Sequence, residues 1–165
     1  MKKEDKSKII DSLVEQLNAN TKIYLADCSS LSVEKINQFR RSCFNKNISV
    51  AVVKNTLLEK ALERAEDSRL VGLIPALKGA TAIMFTEVGN APAKLIKEFR
   101  GKGDRPILKG AFVEETIYLG DDQLTALANI KSKKELIADV VALLQSPAKR
   151  VIGALQANAE KKDAA

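Results

Sequence analysis

The sequence has no histidine and only two cysteines among its 165 residues. Histidine is the side chain whose ordinary pKa best suits proton transfer near neutral pH, so the commonest general acid or base is missing. A structural zinc site takes four nitrogen or sulfur ligands, and two thiols cannot supply them. We therefore predict that Cys28 and Cys43 are reduced, buried, apolar side chains, and that the chain holds no metal and no cofactor.

Other catalytic motifs are missing as well. No serine lies in a nucleophile elbow with matching partner motifs, and Gly101-Lys-Gly103 lacks the spacing of a phosphate-binding loop. The carboxylate pairs at 66–67, 114–115 and 121–122 are adjacent in sequence, so their side chains diverge on a helix or a strand. The sequence thus predicts no catalytic residue and no small-molecule substrate.

Long apolar runs are also lacking. No stretch approaches the roughly 20 residues that a membrane-spanning helix needs. The first residues, Met1-Lys-Lys-Glu-Asp-Lys6, lead into an amphipathic pattern and not into the apolar segment of a signal peptide. We predict a cytoplasmic protein without a membrane partner.

What the sequence does contain is unevenly distributed positive charge. Residues 34–64 hold seven Lys or Arg against three Glu, and 94–110 hold six against two acids, within a net charge of +6. Such clustering is typical of a face that meets a polyanion, although a solvated basic surface is the alternative. Because aromatic residues make up only 4%, recognition of folded RNA through its shape and backbone is favoured over base stacking.

Strand and helix patterns alternate along residues 1–131. Strands are predicted at 22–27, 48–53, 80–86 and 106–113, followed by the short segment 116–119. Helices are predicted at 3–19, after Ser32, after a cap at Asn55 or Thr56, and at 90–100. The helix after Ser32 is predicted to bury Val33, Ile36, Phe39, Cys43 and Phe44. This alternation indicates an α/β domain with helices packed on a roughly four-stranded mixed sheet.

Residues 132–165 are predicted to form a separate helical extension. One helix runs from Ser132 to Gln145, and Pro147 is expected to begin a second helix that continues to about Lys162. The second helix has an apolar stripe with little remaining chain to cover it. A protein partner is favoured, while folding back on the domain or coiled-coil self-assembly are the alternatives.

The junction between the second strand and the third helix is the candidate anion site. Lys54, Asn55 and Thr56 lie where free backbone amides can bind phosphate, although an ordinary helix cap is the alternative. Arg40, Arg41 and Lys60 can add further phosphate contacts. Lysines near the N-terminus, among them Lys3 and Lys6, oppose the helix dipole and are better placed to meet an external anion.

Several segments resemble one family in order along nearly the whole chain. They are Ala26-Asp27, Leu31-Ser-Val-Glu-Lys35, Val52-Val-Lys-Asn-Thr-Leu-Leu58, Leu77-Lys-Gly-Ala-Thr81, Lys97-Glu-Phe99, Lys109-Gly-Ala-Phe112 and Leu143-Leu-Gln-Ser-Pro-Ala148. The chain resembles the bacterial large-subunit ribosomal protein ten family, the stalk-base protein. It departs from the family at Ser29-Ser30, where members commonly have glycine.

The resemblance implies a structural protein of the large (50S) ribosomal subunit. Its front domain would bind 23S ribosomal RNA beside ribosomal protein eleven, and would also bind the family's own messenger RNA. Its last helix would carry multiple dimers of the acidic stalk protein of the L7/L12 type, two or three in number, which recruit GTP-bound translation factors. The residues predicted to hold these dimers are Leu144, Ala148, Val151, Ile152 and Leu155. A small nucleic-acid enzyme is the alternative of another class.

Overall fold

The structure is a computed structural model that describes residues 3–65, 67–101, 103 and 105–163, and excludes the side chains at 3–5, 68 and 157–163. The helices are α1 (Lys3–Ala19), α2 (Val33–Asn45), α3 (Asn55–Arg64), α4 (Ala91–Arg100), α5 (Leu124–Asn129) and α6 (Lys133–Asp163). The strands are β1 (Ile23–Asp27), β2 (Ser49–Val52), β3 (Ala82–Phe85), β4 (Ile107–Val113) and β5 (Thr116–Leu119). Short 3₁₀ segments lie at Ser68–Ala76 and Asp121–Gln123. The chain divides into two compact units, Met1–Ile130 and Lys131–Ala165.

The first unit contains one sheet with the strand order β2-β3-β1-β4-β5. The predicted α/β class is confirmed, with two differences in detail: the sheet has five strands, and each neighbouring pair is antiparallel, where a mixed sheet of about four was expected. The fifth strand follows a tight turn at Glu114 and Glu115, which both have positive φ, 50° and 69°. Such turns normally use Asn or Gly, so two glutamates gave no recognisable hairpin signal.

Helices cover both faces of this sheet. Successive residues of β1 point to opposite faces, as the strand pleat requires. Ile23 and Leu25 pack against α1, α3 and the first 3₁₀ segment, whereas Tyr24 and Ala26 pack against α2, α4 and α5. The sheet is therefore buried on both sides, and the ends of its strands are the places where polar side chains reach solvent.

One face of α2 differs from the prediction. Phe39 and Cys43 are buried, as predicted, and the Phe39 ring packs edge-on against Phe99 with 5.2 Å between ring centroids. Val33 and Phe44 are instead exposed, at 76% and 81% of their surface. Phe44 follows Cys43 by one residue, which turns it about 100° around the helix and away from the sheet.

The two phenylalanines of α2 should therefore differ sharply in their contribution to stability. We expect Phe39→Ala to lower the free energy of unfolding by about 3–5 kcal/mol, because it leaves a cavity in the core. Phe44→Ala should change it by less than about 0.5 kcal/mol, as is usual for exposed positions. Urea unfolding of both variants measures the difference, and equal losses would contradict the placement of Phe44.

The second unit is one continuous helix, α6, which begins at a capping box. The Ser132 hydroxyl accepts from the Glu135 amide at 3.3 Å, and the Glu135 carboxylate accepts from the Ser132 amide at 2.7 Å. The predicted start of a second helix at Pro147 is wrong, since α6 passes through this residue. Proline cannot donate to the Leu143 carbonyl one turn earlier, but the Ser146 hydroxyl donates to that oxygen at 3.0 Å and replaces the missing partner. No helix of the described part of the chain is long and apolar enough to cross a membrane.

Candidate nucleic-acid interface and partner-binding helix

Three of the eight predicted RNA-binding residues, Lys54, Asn55 and Thr56, lie at one end of the sheet. Val52 at the end of β2 lies opposite Ala82 at the start of β3, and Asp27 at the end of β1 lies opposite Ile107 at the start of β4. The segments 53–56, 77–81, 28–32 and 105–106 therefore emerge at this same end. We call it the basic end of the sheet.

Lys54, Asn55 and Thr56 form the start of α3 at this basic end. Lys54 is the N-cap residue, is exposed, and makes no side-chain cap. Asn55 has a different role: its side-chain amide donates to the carbonyls of Leu77 and Gly79, at 2.8 and 2.7 Å. Asn55 thus fastens the loop at 77–81 to α3, while Lys54 and Thr56 face solvent.

Lys109 fastens the same loop from the other side. Leu25 pairs with Gly110 and Ala26 with Leu108, so Lys109 is the extra residue of a β-bulge in β4. Its ammonium donates to the Lys78 carbonyl at 2.6 Å, to the Thr81 hydroxyl at 3.1 Å and to the Ala80 carbonyl. Sequence reasoning missed this role, although a lysine within an otherwise apolar strand was a usable signal.

A third arrangement holds the turn after β1. The Arg105 guanidinium donates to the Asp27 carboxylate at 3.1 Å and to the Ser29 hydroxyl at 2.6 Å. Partial burial alone would raise the pKa of Asp27, but hydrogen bonds from Ser29 and the charges of Lys109 and Arg105 outweigh it and keep that pKa below its ordinary value. The Asp27 side chain is therefore ionised at neutral pH, and its negative charge offsets the positive charge of Arg105.

The neighbouring residue, Ser30, adopts a φ of 65°, a conformation that favours glycine. We expect Ser30→Gly to stabilise the protein by about 0.5 kcal/mol, because relief of the left-handed strain exceeds the entropy that glycine gains on unfolding. Ser29→Gly is the matched control and should destabilise by about 1 kcal/mol through the lost hydroxyl contacts. Thermal unfolding of the two variants should shift in opposite directions, and shifts of the same sign would contradict this account.

A second arginine neutralises another acidic residue at the basic end. Arg100 donates to both carboxylate oxygens of Asp121, at 2.6 and 2.8 Å, with one of these oxygens also accepting from the Leu108 amide. The hydrogen bond from Arg100 holds the pKa of Asp121 below its ordinary value, against the opposing effect of burial. With Asp27 and Asp121 both paired, the remaining lysines at this end are not balanced by these carboxylates.

These two carboxylates predict loss of stability in acid. Their pKa values in the folded protein lie below the ordinary 3.8, so the unfolded chain binds protons more readily at low pH. Their contribution should be complete above about pH 5 and should fall as the pH drops through the folded values. Asp121→Asn should flatten this fall when urea unfolding is measured from pH 6 to pH 2, whereas an unchanged slope would contradict it.

The arginines of α2 lie on the opposite face of the sheet from α1. Arg40 and Arg41 are exposed and form no ion pair with the described residues. Lys6 is exposed on α1, so the structure does not bring it next to the arginines, and the side chain of Lys3 lies outside the described residues. Lys60 is exposed on α3 about one turn beyond Thr56. The rRNA-binding roles of all these residues stay predictions.

The helix α6 carries a regular apolar face. Ile137, Val141, Leu144, Ala148, Val151 and Leu155 follow each other at alternating spacings of four and three residues, which places them along one side of the helix. Ile152 lies at the edge of this face. All the described side chains of this apolar face are exposed, with Leu144 at 77%. Four of the five predicted partner-binding residues thus lie in one row, and their binding role stays a prediction.

Comparison with known proteins identifies the family. Residues 1–101 match the family model described as ribosomal protein L10. The chain belongs to the ribosomal protein L10 family.

Similarity within the L10 family extends beyond residue 101. The chain is 56% identical over 162 residues to a protein of Christiangramia forsetii named large ribosomal subunit protein uL10, covering 98% of this chain and 92% of that protein. Proteins of the same name from Flavobacterium psychrophilum and Flavobacterium johnsoniae are 51% and 49% identical, over 98% and 94% of this chain and 97% and 93% of theirs. The similarity therefore includes much of α6.

Membership of the L10 family confirms the resemblance found in the sequence. It also confirms the predicted structural role in the ribosome and the predicted assignment to the large subunit in the cytoplasm. L10 proteins are structural components of the ribosome. Membership of this family therefore confirms the prediction that the chain is not an enzyme.

Proposed function

We propose that this protein forms the base of the stalk of the large ribosomal subunit. Its first unit binds 23S ribosomal RNA beside ribosomal protein eleven. Its second unit, α6, anchors several dimers of the acidic stalk protein of the L7/L12 type, which recruit GTP-bound translation factors. The protein thus joins a fixed RNA surface to partners that bind soluble factors.

The charge at the basic end supports the RNA half of this proposal. Lys54, Lys78 and Arg40 are exposed, while two carboxylates at this end, Asp27 and Asp121, are paired with arginines. A surface with unpaired cations gains affinity for RNA by releasing the counterions that surround phosphates. The loop at 77–81 is hydrogen-bonded on both sides, to Asn55 and to Lys109, so the backbone that carries Lys78 is held beside the start of α3.

The apolar face of α6 is the single observation that carries the partner half. Nine large apolar side chains on this helix are between 45% and 77% exposed: Leu136, Ile137, Val140, Val141, Leu143, Leu144, Val151, Ile152 and Leu155. Monomeric proteins seldom leave such a continuous patch in water. Residues 131–165 carry seven Lys or Arg against four Asp or Glu, so their charge is complementary to an acidic partner.

Co-purification from cells tests this division of labour. We expect the intact protein to retain both large-subunit RNA and the acidic stalk protein. A chain ending at Ile130 should retain the RNA and lose the acidic protein, because its first unit keeps both apolar cores. Retention of both by the shortened chain would refute the proposal, as would salt-insensitive binding of RNA by either form.

Self-association through α6 is the second candidate, since spacings of four and three residues are also typical of coiled coils. Light scattering on the purified full-length chain, with and without the acidic stalk protein, distinguishes self-association from anchoring of that protein. A monomer that binds the acidic protein supports the anchor, whereas a stable dimer that does not bind it supports the coiled coil.

A further inference from the structure

An apolar groove opens beside the predicted RNA-binding residues. Its volume is about 260 Å³, and it lies between α2 and the basic end of the sheet. Its walls include Ile36 and Phe39 of α2, Val50 and Val52 of the edge strand β2, and Cys28 after β1. Pockets for drug-sized ligands usually measure roughly 300–1,000 Å³, so this groove has room for one small flat group.

One cation lies at this apolar groove, and a second follows one of its wall residues along the chain. Arg40 lines it directly and forms no ion pair with the described residues. Lys54 follows Val52, which is 65% exposed at the groove, by two residues along the chain. An apolar slot next to exposed positive charge is complementary to a group that is flat, apolar on its faces and attached to phosphate.

The two side-chain hydroxyl groups of the groove are already hydrogen-bonded within the protein. The Ser29 hydroxyl accepts from Arg105 at 2.6 Å, and the Thr81 hydroxyl accepts from Lys109 at 3.1 Å. Neither oxygen is arranged to read the edge of one particular base. An occupant of this groove would therefore be selected by its shape and by its phosphates, with little preference for sequence.

We propose that this groove receives a single unstacked base of the bound ribosomal RNA, while Arg40 and Lys54 hold the adjoining phosphates. This inference rests on the proposed RNA-binding function and specifies one of its contacts. Bulges and loops of folded RNA present such unstacked bases. Proteins bind extruded bases between aromatic or apolar side chains. Val52, on the open edge of the sheet, forms the outer wall that the base would cover.

Selective alkylation of one of the two cysteines can test whether the groove is occupied. Cys28 is partly exposed in its wall, whereas Cys43 is buried in the core and out of reach of solvent. Burial raises the pKa of both thiols, that of Cys43 to about 12, so the difference in exposure decides which thiol reacts. N-ethylmaleimide should therefore modify the folded protein once, at Cys28. The adduct is uncharged, so a loss of RNA binding could not be caused by charge repulsion.

The experiment measures the affinity of the full-length protein for a 23S rRNA transcript over a range of salt concentrations. We expect alkylation of Cys28, or the neutral filling variant Cys28→Leu, to weaken binding at least about tenfold, comparable to the loss of one stacked base. The dependence on salt should stay unchanged, because no phosphate contact is removed. The rRNA should also protect Cys28 from alkylation.

Cys28→Ser is the matched control, since it should bind rRNA normally and should be insensitive to the reagent. If the affinity for rRNA is unchanged after alkylation of Cys28 and in the Cys28→Leu variant, the proposal is overturned. Unchanged RNA affinity together with loss of a ribosomal protein partner would assign the groove to that protein instead. If the untreated protein fails to bind rRNA at all, the proposed function itself is refuted.

Discussion

Replacement of Leu144 by aspartate in the full-length protein is expected to weaken binding of the acidic stalk protein at least about 100-fold. Leu144 lies in the middle of the apolar face of α6, with Val141 and Ala148 on either side, and is 77% exposed. Central apolar side chains dominate the free energy of such helix-face contacts, and a loss near 3 kcal/mol corresponds to about two orders of magnitude in Kd. Isothermal titration calorimetry with the purified acidic protein measures this loss.

Gln145→Asp provides the matched control for this variant. Gln145 is the next residue, is exposed, and lies about 100° around the helix from Leu144, at the edge of the apolar face, where Ile152 lies two turns later. It introduces the same charge, so electrostatic repulsion from an acidic partner affects both variants alike. Equal weakening by the two substitutions would show that charge, and not the apolar face, controls the interaction.

Removal of three cations from the first unit should reduce RNA binding strongly. We expect the combined variant Arg40→Gln, Arg41→Gln and Lys54→Gln to lower the slope of log K against log salt by about 3, because each phosphate contact contributes about one unit. At physiological salt the affinity for the 23S rRNA transcript should fall at least about 100-fold. Filter binding at several salt concentrations measures both quantities.

A charge-matched control separates specific contacts from net charge. Lys133→Gln, Lys134→Gln and Lys149→Gln remove the same three charges from exposed positions of α6. This control should bind rRNA with nearly the parental salt dependence. If both triple variants lose a similar amount of affinity for rRNA, binding depends only on the net charge of the protein and not on contacts at these three positions.

The pattern of apolar residues was sufficient to predict most of the fold. The segments predicted at 3–19 and 106–113 correspond closely to α1 and β4, because their buried positions repeat with the period of a helix or a strand. The same pattern failed for α2, where Val33 and Phe44 border the buried stripe and only the position of the sheet decides which side is covered. Pro147 was misjudged because one serine hydroxyl offsets its missing donor.

The candidate interface was only partly visible in the sequence. Exposed cations such as Arg40 and Lys54 could be found because they follow predicted strands or lie on helices. The fastening of the loop at 77–81 could not, since Asn55 and Lys109 contact it across 22 to 31 residues of chain. The position of Lys109 in an apolar strand was a usable signal, but the partners of Lys109 and Asn55 depend on the order of strands in the sheet and on a bulge, which no local pattern reveals.

The continuity of α6 through Pro147 has a mechanical consequence. A helix of 31 residues extends about 46 Å, and the six residues of its apolar face span about 27 Å of that length. Had the chain broken at Pro147, modules bound before and after it could swivel independently. An unbroken helix behaves instead as a stiff rod, so modules docked as we propose would keep a fixed spacing and a fixed rotation about the helix axis relative to each other.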